Sequence, residues 1–287
     1  MVVRRSCDWP APAKLNLFLH VVGQRPDGYH DLQTLFQFVD CCDWLDFTPN
    51  HEGTIELHTP IEGVAHDANL IVRAARLLQQ ETKTTQGAHI WIDKHLPQGG
   101  GLGGGSSNAA TTLVALNWLW GCGLSTARLQ ALGRTLGADV PIFIHGAAAF
   151  AEGIGDHLHS MPDLDTPWYL ILCPRVQVHT AAMFANPELP KHTAKVEFNR
   201  LDIQQTHNDF QELVLKNYAE VAKAFEWLVQ YAPTKMTGTG ACLFASFSSK
   251  EQAQLVLEQR PKHLDGFIAL GTNRSPLITH IERLSKH

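Results

Sequence analysis

The stretch Leu96 to Ala110, "LPQGGGLGGGSSNAA", carries six glycines in the seven positions from Gly99 to Gly105. Such a run is either slack chain between two domains or a backbone cradle for an anion. Its flanks decide between them. Before it, "GAHIWIDKHLP" alternates apolar and polar residues as a strand does. After it, "SNAATTLVALNWLW" sets Ala109, Leu113, Leu116 and Trp120 at helical spacing. The glycines therefore join a strand tightly to a helix. That helix, expected to begin at Ser106–Asn108, presents N–H groups without intrahelical partners, and glycine leaves no side chain to hold a ligand off. The run reads as an anion site.

Upstream, "AKLNLFLHVV" alternates, with Ala13, Leu15, Leu17, Leu19 and Val21 on one face and Lys14, Asn16, Phe18 and His20 on the other, predicting a half-buried strand. "RPDG" then marks a turn before Tyr29 and His30. "TLFQFV" and "TIELHT" read as strands, and "NLIVRAARLLQQ" as an amphipathic helix with Asn69 as its N-cap. Downstream, Ser125 caps a helix that ends near "GADVP", with Gly137 and Pro141 as stop signals, so Asp139 falls at a helix-to-strand junction. "AAAFAEGIG" and "WYLILCPRVQVHT" read as strands, and "NDFQELVLKNYAEVAKAFEWLVQYAP" as one or two helices. The tail reads strand, helix, strand in "KMTGTGACLFASF", "KEQAQLVLEQR" and "GFIALG". Strands and helices do not alternate regularly, which gives an α+β class. At 287 residues two domains are expected, with the boundary between Gly155 and Pro167.

Bulk composition narrows the function. The chain is 44% hydrophobic and 18% charged, with 23 Lys+Arg against 28 Asp+Glu and a net charge of −5. No basic block exists to hold nucleic acid or an anionic membrane surface. Cys7, Cys41, Cys42, Cys122, Cys173 and Cys242 are scattered and read as free thiols. The start, "MVVRRSCDWPAPAK", lacks the apolar core of a secretory signal, and no apolar run approaches a bilayer span. Together these predict a soluble cytoplasmic protein. Sixteen histidines invite a metal reading, but H-E-x-x-H is absent and His157-x-His159 alternates like a strand edge, so no dedicated metal site is expected.

The loop matches G-x-G-x-x-G only weakly. A dinucleotide fold wants a strand after the next helix, whereas a second helix follows here; a P-loop wants a lysine that is missing; and neither the protein-kinase set nor the G-x-S-x-G elbow occurs. "LPQGGGLGGGSSNAA" instead resembles the phosphate loop of the GHMP kinases, whose usual form is nearer P-x-x-x-G-L-G-S-S-A. The extra glycines resemble the branch that acts on 4-diphosphocytidyl-2-C-methyl-D-erythritol. "PAPAKLNLFLHVVGQRPDGYHDLQTLFQFVD", "LGADVPIFIHGAAAFAEGIG" and "KMTGTGACLFASF" are similar to that branch's other motifs, in the same order, from about Trp9 to Pro276.

The resemblance implies a ribosomal protein S5 domain 2-like N-terminal domain over residues 1–160, a ferredoxin-like C-terminal domain over 161–287, and an active site in the cleft between. It implies transfer of the γ-phosphate of ATP, with Mg²⁺, to the 2-hydroxyl of the diphosphocytidyl alcohol, in the non-mevalonate route to isopentenyl diphosphate. The partners are then small molecules, with the chain a monomer or a homodimer. Asp139 becomes the base and Lys14 its cationic neighbour; the plain alternatives are a helix-end aspartate and a solvated strand lysine. Pro97, Gly99, Gly100, Gly101, Leu102, Gly103, Gly104, Gly105, Ser106, Ser107 and Asn69 become the ATP site, though either serine alone can equally be an N-cap. Asn16, Tyr29, His30, Asp156, Thr180, Gly238 and Gly240 become substrate contacts, Tyr29 and His30 at the cytosine. Another GHMP kinase, acting on a sugar or a mevalonate-like alcohol, is the alternative enzyme. A binding protein on the same scaffold is the non-enzyme alternative, and the presence of both Lys14 and Asp139 argues against it.

Overall fold

The structure is a computed structural model that describes residues 6–286. Met1–Arg5, part of the stretch read as lacking a secretory signal, lie outside the described residues.

Two long antiparallel strands, β1 (Ser6–Gln24) and β2 (His30–Asn50), form the spine. There follow β3 (Ile55–Leu57), α1 (Leu70–Thr82), β4 (Gly87–Asp93), α2 (Gly104–Leu119), α3 (Thr126–Leu136), α4 (Val140–His145), β5 (Ala149–Glu152) and β6 (His157–Ser160). The second half runs β7 (Trp168–Cys173), α5 (Thr180–Ala185), α6 (Gln211–Asn217), α7 (Ala219–Leu228), β8 (Thr234–Met236), β9 (Leu243–Phe247), α8 (Lys250–Glu258), β10 (Asp265–Thr272) and α9 (Pro276–Leu284). β1 takes one side of β2. The other side is shared along its length by β4, β10 and β5, so the sheet runs β3-β4-β2-β10-β7-β9-β8.

Three cores fill this frame. The first gathers α1, α2, α3 and α4 onto β4 and parts of β1 and β2, and takes in Leu277 of α9. The second packs β7, β8, β9, α6 and α7 around Leu19 and Val21 of β1. The third, with Ala13, Leu15, Leu17 and Leu102, lies between them and includes Tyr169 and Phe244. Both ends of the chain thus cross residue 160, β1 reaching the second core and α9 the first.

Several expectations hold in detail. Asn69 caps α1, its Oδ1 accepting from the N–H of Ile71 at 2.9 Å. Ser125 caps α3 through the N–H of Arg128. The long helical stretch is two helices, broken at Tyr218. Others need correction. β1 is buried on both faces from Trp9 to Val21, because the polar face expected to meet solvent is covered by the glycine loop and the second half of the chain. α2 begins at Gly104, two residues early, and is buried without interruption from Ser107 to Leu116. Asp139 does not lead into a strand. It is the N-cap of the six-residue α4, and Pro141 sits in that helix's first turn, where a missing N–H costs nothing. β7 stops at Cys173, before Pro174, and "PRVQV" is irregular. No disulfide joins the cysteines among the described residues. Among the described residues no helix is long and apolar enough to cross a membrane.

Candidate active site

The site begins with a local irregularity in β1. Its pairing with β2 shifts register between Pro12 and Lys14 and again between Asn16 and Leu19. Such shifts re-aim side chains. Here they isolate Lys14 and Asn16 on a short segment of their own, both side chains facing a cleft of about 1180 Å³, which is roomier than the usual single-ligand pocket.

Lys14 is only 1% exposed, so its charge must be matched by acceptors. Its ammonium donates to Asn16 Oδ1, donates to the carbonyl of Gly101 at 2.9 Å, and lies 3.3 Å from Asp139 Oδ2. Three donors meet three acceptors, and the ring of Phe36 sits 5.5 Å below. Asp139 makes no capping hydrogen bond with its side chain, although it stands at a helix N-terminus. Its carboxylate is one-third exposed and faces Lys14 and the cleft.

The glycine loop lies directly over this pair. At Gly101, φ is +79° and a Cβ would stand 2.2 Å from the carbonyl oxygen of Thr237. At Gly103, φ is +74° and a Cβ would meet Phe143 at 2.7 Å and Lys14 Cε at 3.2 Å. The loop can therefore press against both halves of the molecule only without side chains. The 237–242 turn secures it: the N–H of Cys242 donates to the carbonyl of Gly100 at 3.0 Å, and Thr237 Oγ1 to that of Gly101 at 3.2 Å. The first turn of α2 opens onto the cleft with its N–H groups and its partial positive charge.

Asp43 underlies the loop. It is fully buried in β2 and gathers four donors: Lys94 Nζ at 2.8 Å, the N–H groups of His95 and Leu96 at 2.8 Å each, and Asn108 Nδ2 at 2.9 Å. One carboxylate thus ties the entry of the loop to the N-terminal part of α2.

At the other end of the cleft, Tyr29 is exposed and His30 buried. The His30 ring lies 5.2 Å from that of Phe184 in α5, and its Nε2 has no hydrogen-bond partner among the described residues. Burial, and then Lys191, hold its pKa below the usual imidazole value, so the ring is neutral near pH 7. A flat ligand with hydrogen-bonding edges can stack against such a pair of rings. Thr180 joins Thr239 across the cleft mouth at 2.9 Å, and Asn208 Nδ2 holds the carbonyls of Met236 and Gly238 at 2.8 Å each.

The cleft brings together Lys14, Asn16, Tyr29, His30, Asn69, Pro97, Gly99 to Gly105, Ser106, Asp139, Thr180, Gly238 and Gly240. Two residues named from the sequence stand apart from it. Ser107 is fully buried behind the loop, its hydroxyl shielded and without a hydrogen-bond partner among the described residues, because α2 has already begun and turns this position inward. Asp156 is held by Arg134 at 2.8 Å and by the N–H of Ile154, with its side chain nearly buried. Sequence reading missed Asp43, Phe184, Asn208 and Thr237. None carried a clear signal: Asp43 stands in "FVDCCDWLDF" between two other aspartates, Asp40 and Asp46, and only the fold shows that it alone of the three is buried.

Residues 69–147 match the model of the GHMP kinases N-terminal domain, and residues 194–266 that of the GHMP kinases C-terminal domain. The chain is 55% identical over 288 residues to the 4-diphosphocytidyl-2-C-methyl-D-erythritol kinase of Shewanella loihica, covering all of both chains. It is 55% identical over 279 residues to the enzyme of the same name from Shewanella oneidensis, covering 97% of this chain and 98% of that one. A crystal structure of 4-(cytidine 5'-diphospho)-2C-methyl-D-erythritol kinase superposes with a TM-score of 0.80 at 28% identity, covering 94% of this chain and 99% of that one. Homoserine kinase from Cytophaga hutchinsonii shares the fold at a TM-score of 0.69 and 18% identity, covering 96% and 97%. The fold is thus the two-domain α+β fold of the GHMP kinases, and the chain belongs to the 4-diphosphocytidyl-2-C-methyl-D-erythritol kinase family within them.

Proposed function

We propose that the chain passes the γ-phosphoryl group of ATP to the 2-hydroxyl of 4-diphosphocytidyl-2-C-methyl-D-erythritol, giving the 2-phosphate and ADP, in the cytoplasm and in the non-mevalonate route to isopentenyl diphosphate. The observation that carries this reading is the Lys14–Asp139 pair at 3.3 Å beneath the glycine loop, in one cleft with His30 and Phe184. Phosphoryl transfer needs little covalent chemistry from a protein and much positioning. The loop from Gly99 to Ser106 offers backbone N–H groups to the phosphates, with Asn69 and Pro97 on the same wall. Asp139 accepts the proton of the attacking hydroxyl, and Lys14 stabilises charge as it develops on that oxygen. Asn16, fixed by the N–H of its own amide to Thr34 at 2.9 Å, meets the polyol. Tyr29, His30 and Phe184 hold the cytosine, with Thr180, Gly238 and Gly240 along the diphosphate side.

The nucleotide brings Mg²⁺, a hard cation that takes oxygen ligands and neutralises phosphate charge. The Ser106 hydroxyl, in the first turn of α2 on the cleft wall, suits it. The functional division is 1–160 and 161–287, with β1 and α9 shared across it.

Purified protein with the diphosphocytidyl alcohol and MgATP is expected to release ADP in a coupled assay, with a new phosphomonoester resonance in the product. Turnover of homoserine or mevalonate in its place would overturn the reading. Asp139→Asn is expected to lower kcat by about 100- to 10,000-fold while leaving KM for ATP nearly unchanged. A kcat near wild type would remove Asp139 from the base role.

A further inference from the structure

A second constellation lies outside the cleft, on the outer face of the sheet at its β3 edge. β3 and β4 run parallel, and their register sets Glu56 beside His89. His58 extends the same ladder, its N–H donating to the carbonyl of Ile90 at 2.9 Å. Side chains alternate across a strand, so Ile55, Leu57, Ala88 and Ile90 face the first core while Glu56, His58 and His89 share the opposite face.

Three potential ligand atoms converge there. Glu56 Oε2 lies 3.2 Å from His89 Nδ1 and 3.6 Å from His58 Nε2, and the two ring nitrogens are 3.1 Å apart. Hydrogen bonds satisfy at most two sides of this triangle: Glu56 can accept from both rings, but the two ring nitrogens at 3.1 Å then meet N–H to N–H. An imidazole nitrogen carries either one N–H or one lone pair, in one direction in the ring plane. If His58 donates to His89 Nδ1, the carboxylate faces a lone pair. If His89 Nδ1 donates to Glu56, it has nothing left for His58. A cation at the centre takes a lone pair from all three at once. The size is also right: around Zn²⁺ at about 2.0–2.1 Å, tetrahedral ligand atoms stand roughly 3.3–3.4 Å apart, since the edge of a tetrahedron is about 1.63 times its centre-to-corner distance. The three observed separations bracket that value. Trp91 stacks on the His58 ring at 4.7 Å and 15°, which fixes the plane in which its nitrogen points.

We propose that Glu56, His58 and His89 form a binding site for a divalent transition metal of the Zn²⁺ class, with a fourth position open to water. Two imidazoles and one carboxylate suit such a borderline ion, whereas Mg²⁺ prefers oxygen. The site is separate from the kinase cleft and independent of the reaction proposed there. Bound metal ties the three-residue β3 to β4, and it pins His58 just ahead of the segment whose Ile61, Val64 and Asn69 line the cleft.

Titration calorimetry of the full chain with ZnCl₂, without nucleotide, is expected to show one site, and Co²⁺ in its place to give the visible absorption of tetrahedral coordination. His58→Ala and His89→Ala should each weaken binding roughly 100-fold and Glu56→Gln about tenfold, while His159→Gln, on a distant strand, leaves it unchanged. Circular dichroism establishes that each variant is folded. No saturable one-to-one binding tighter than about 100 μM, or wild-type affinity in the His58 and His89 variants, would overturn the proposal.

Discussion

At the scale of single residues, the glycine loop separates positions that face the ligand from positions that hold the loop in place. Gly103 and Ser107 are four residues apart and invite opposite expectations. A methyl group at Gly103 meets a left-handed backbone, Phe143 and Lys14 at once. Gly103→Ala should therefore cost about 1–3 kcal/mol in the urea unfolding midpoint and raise KM for ATP several-fold. Ser107 carries a buried hydroxyl with no hydrogen-bond partner among the described residues, so Ser107→Ala should leave stability and KM for ATP within error or improve stability slightly. A large rise in KM would return Ser107 to the phosphate site. The sequence showed that serine and that glycine equally plainly. It could not show that α2 begins at Gly104, and that one register choice sends Ser107 inward. Lys14 is the converse case. Alternation identified its face correctly, but what covers that face comes from residues 101 and 237, too far along the chain for local pattern to reveal.

Among elements, the informative one is β2. Its 21 residues meet four other strands, and it carries a single buried carboxylate at the point where the loop's entry and α2 meet. Asp43→Asn keeps the size of the side chain but leaves Lys94 without its ionic partner and sets an amide where acceptors are required. Lys94 retains some solvent, so the expected cost is about 2–3 kcal/mol in chemical denaturation rather than that of a fully buried broken pair. KM for ATP should rise more than kcat falls, because the loop loses its anchor while Lys14 and Asp139 keep theirs. An unchanged KM would confine Asp43 to stability. Elements whose periodicity is strong, such as α1 with its Asn69 cap, could be read residue by residue. α4 could not: "PIFI" is buried on every side, and an apolar run that short has no period to betray whether it is helix or strand.

For the molecule as a whole, four buried or half-buried histidines set a pH dependence. His20, His30, His145 and His280 all have pKa values lowered from 6.5, chiefly by burial. The folded state therefore resists protonation that the unfolded chain accepts, and where the unfolded state binds more protons, stability rises with pH. Above about pH 7.5 all four are neutral in both states and contribute no slope. As pH falls through 6.5 stability is lost, and the loss continues until the folded state also takes up protons. The urea midpoint should hold between pH 7.5 and 8 and drop between about pH 7 and 5.5; a flat profile over that lower interval would contradict the burial of these rings. Fold class was legible at this scale because strands, helices and four ordered motifs agreed. Where the cores divide was not, because a boundary drawn along the chain assumes that each half packs with itself.

That assumption fails most clearly at the end of the chain. Leu277 of α9 is fully buried in the first core, and the ring of His280 lies 4.8 Å from that of Trp9. A ribosome delivers Trp9 long before Leu277. Until α9 follows, the N-terminal half waits with part of its interior uncovered, and it closes only when that helix has left the exit tunnel, long after its own sequence has been made.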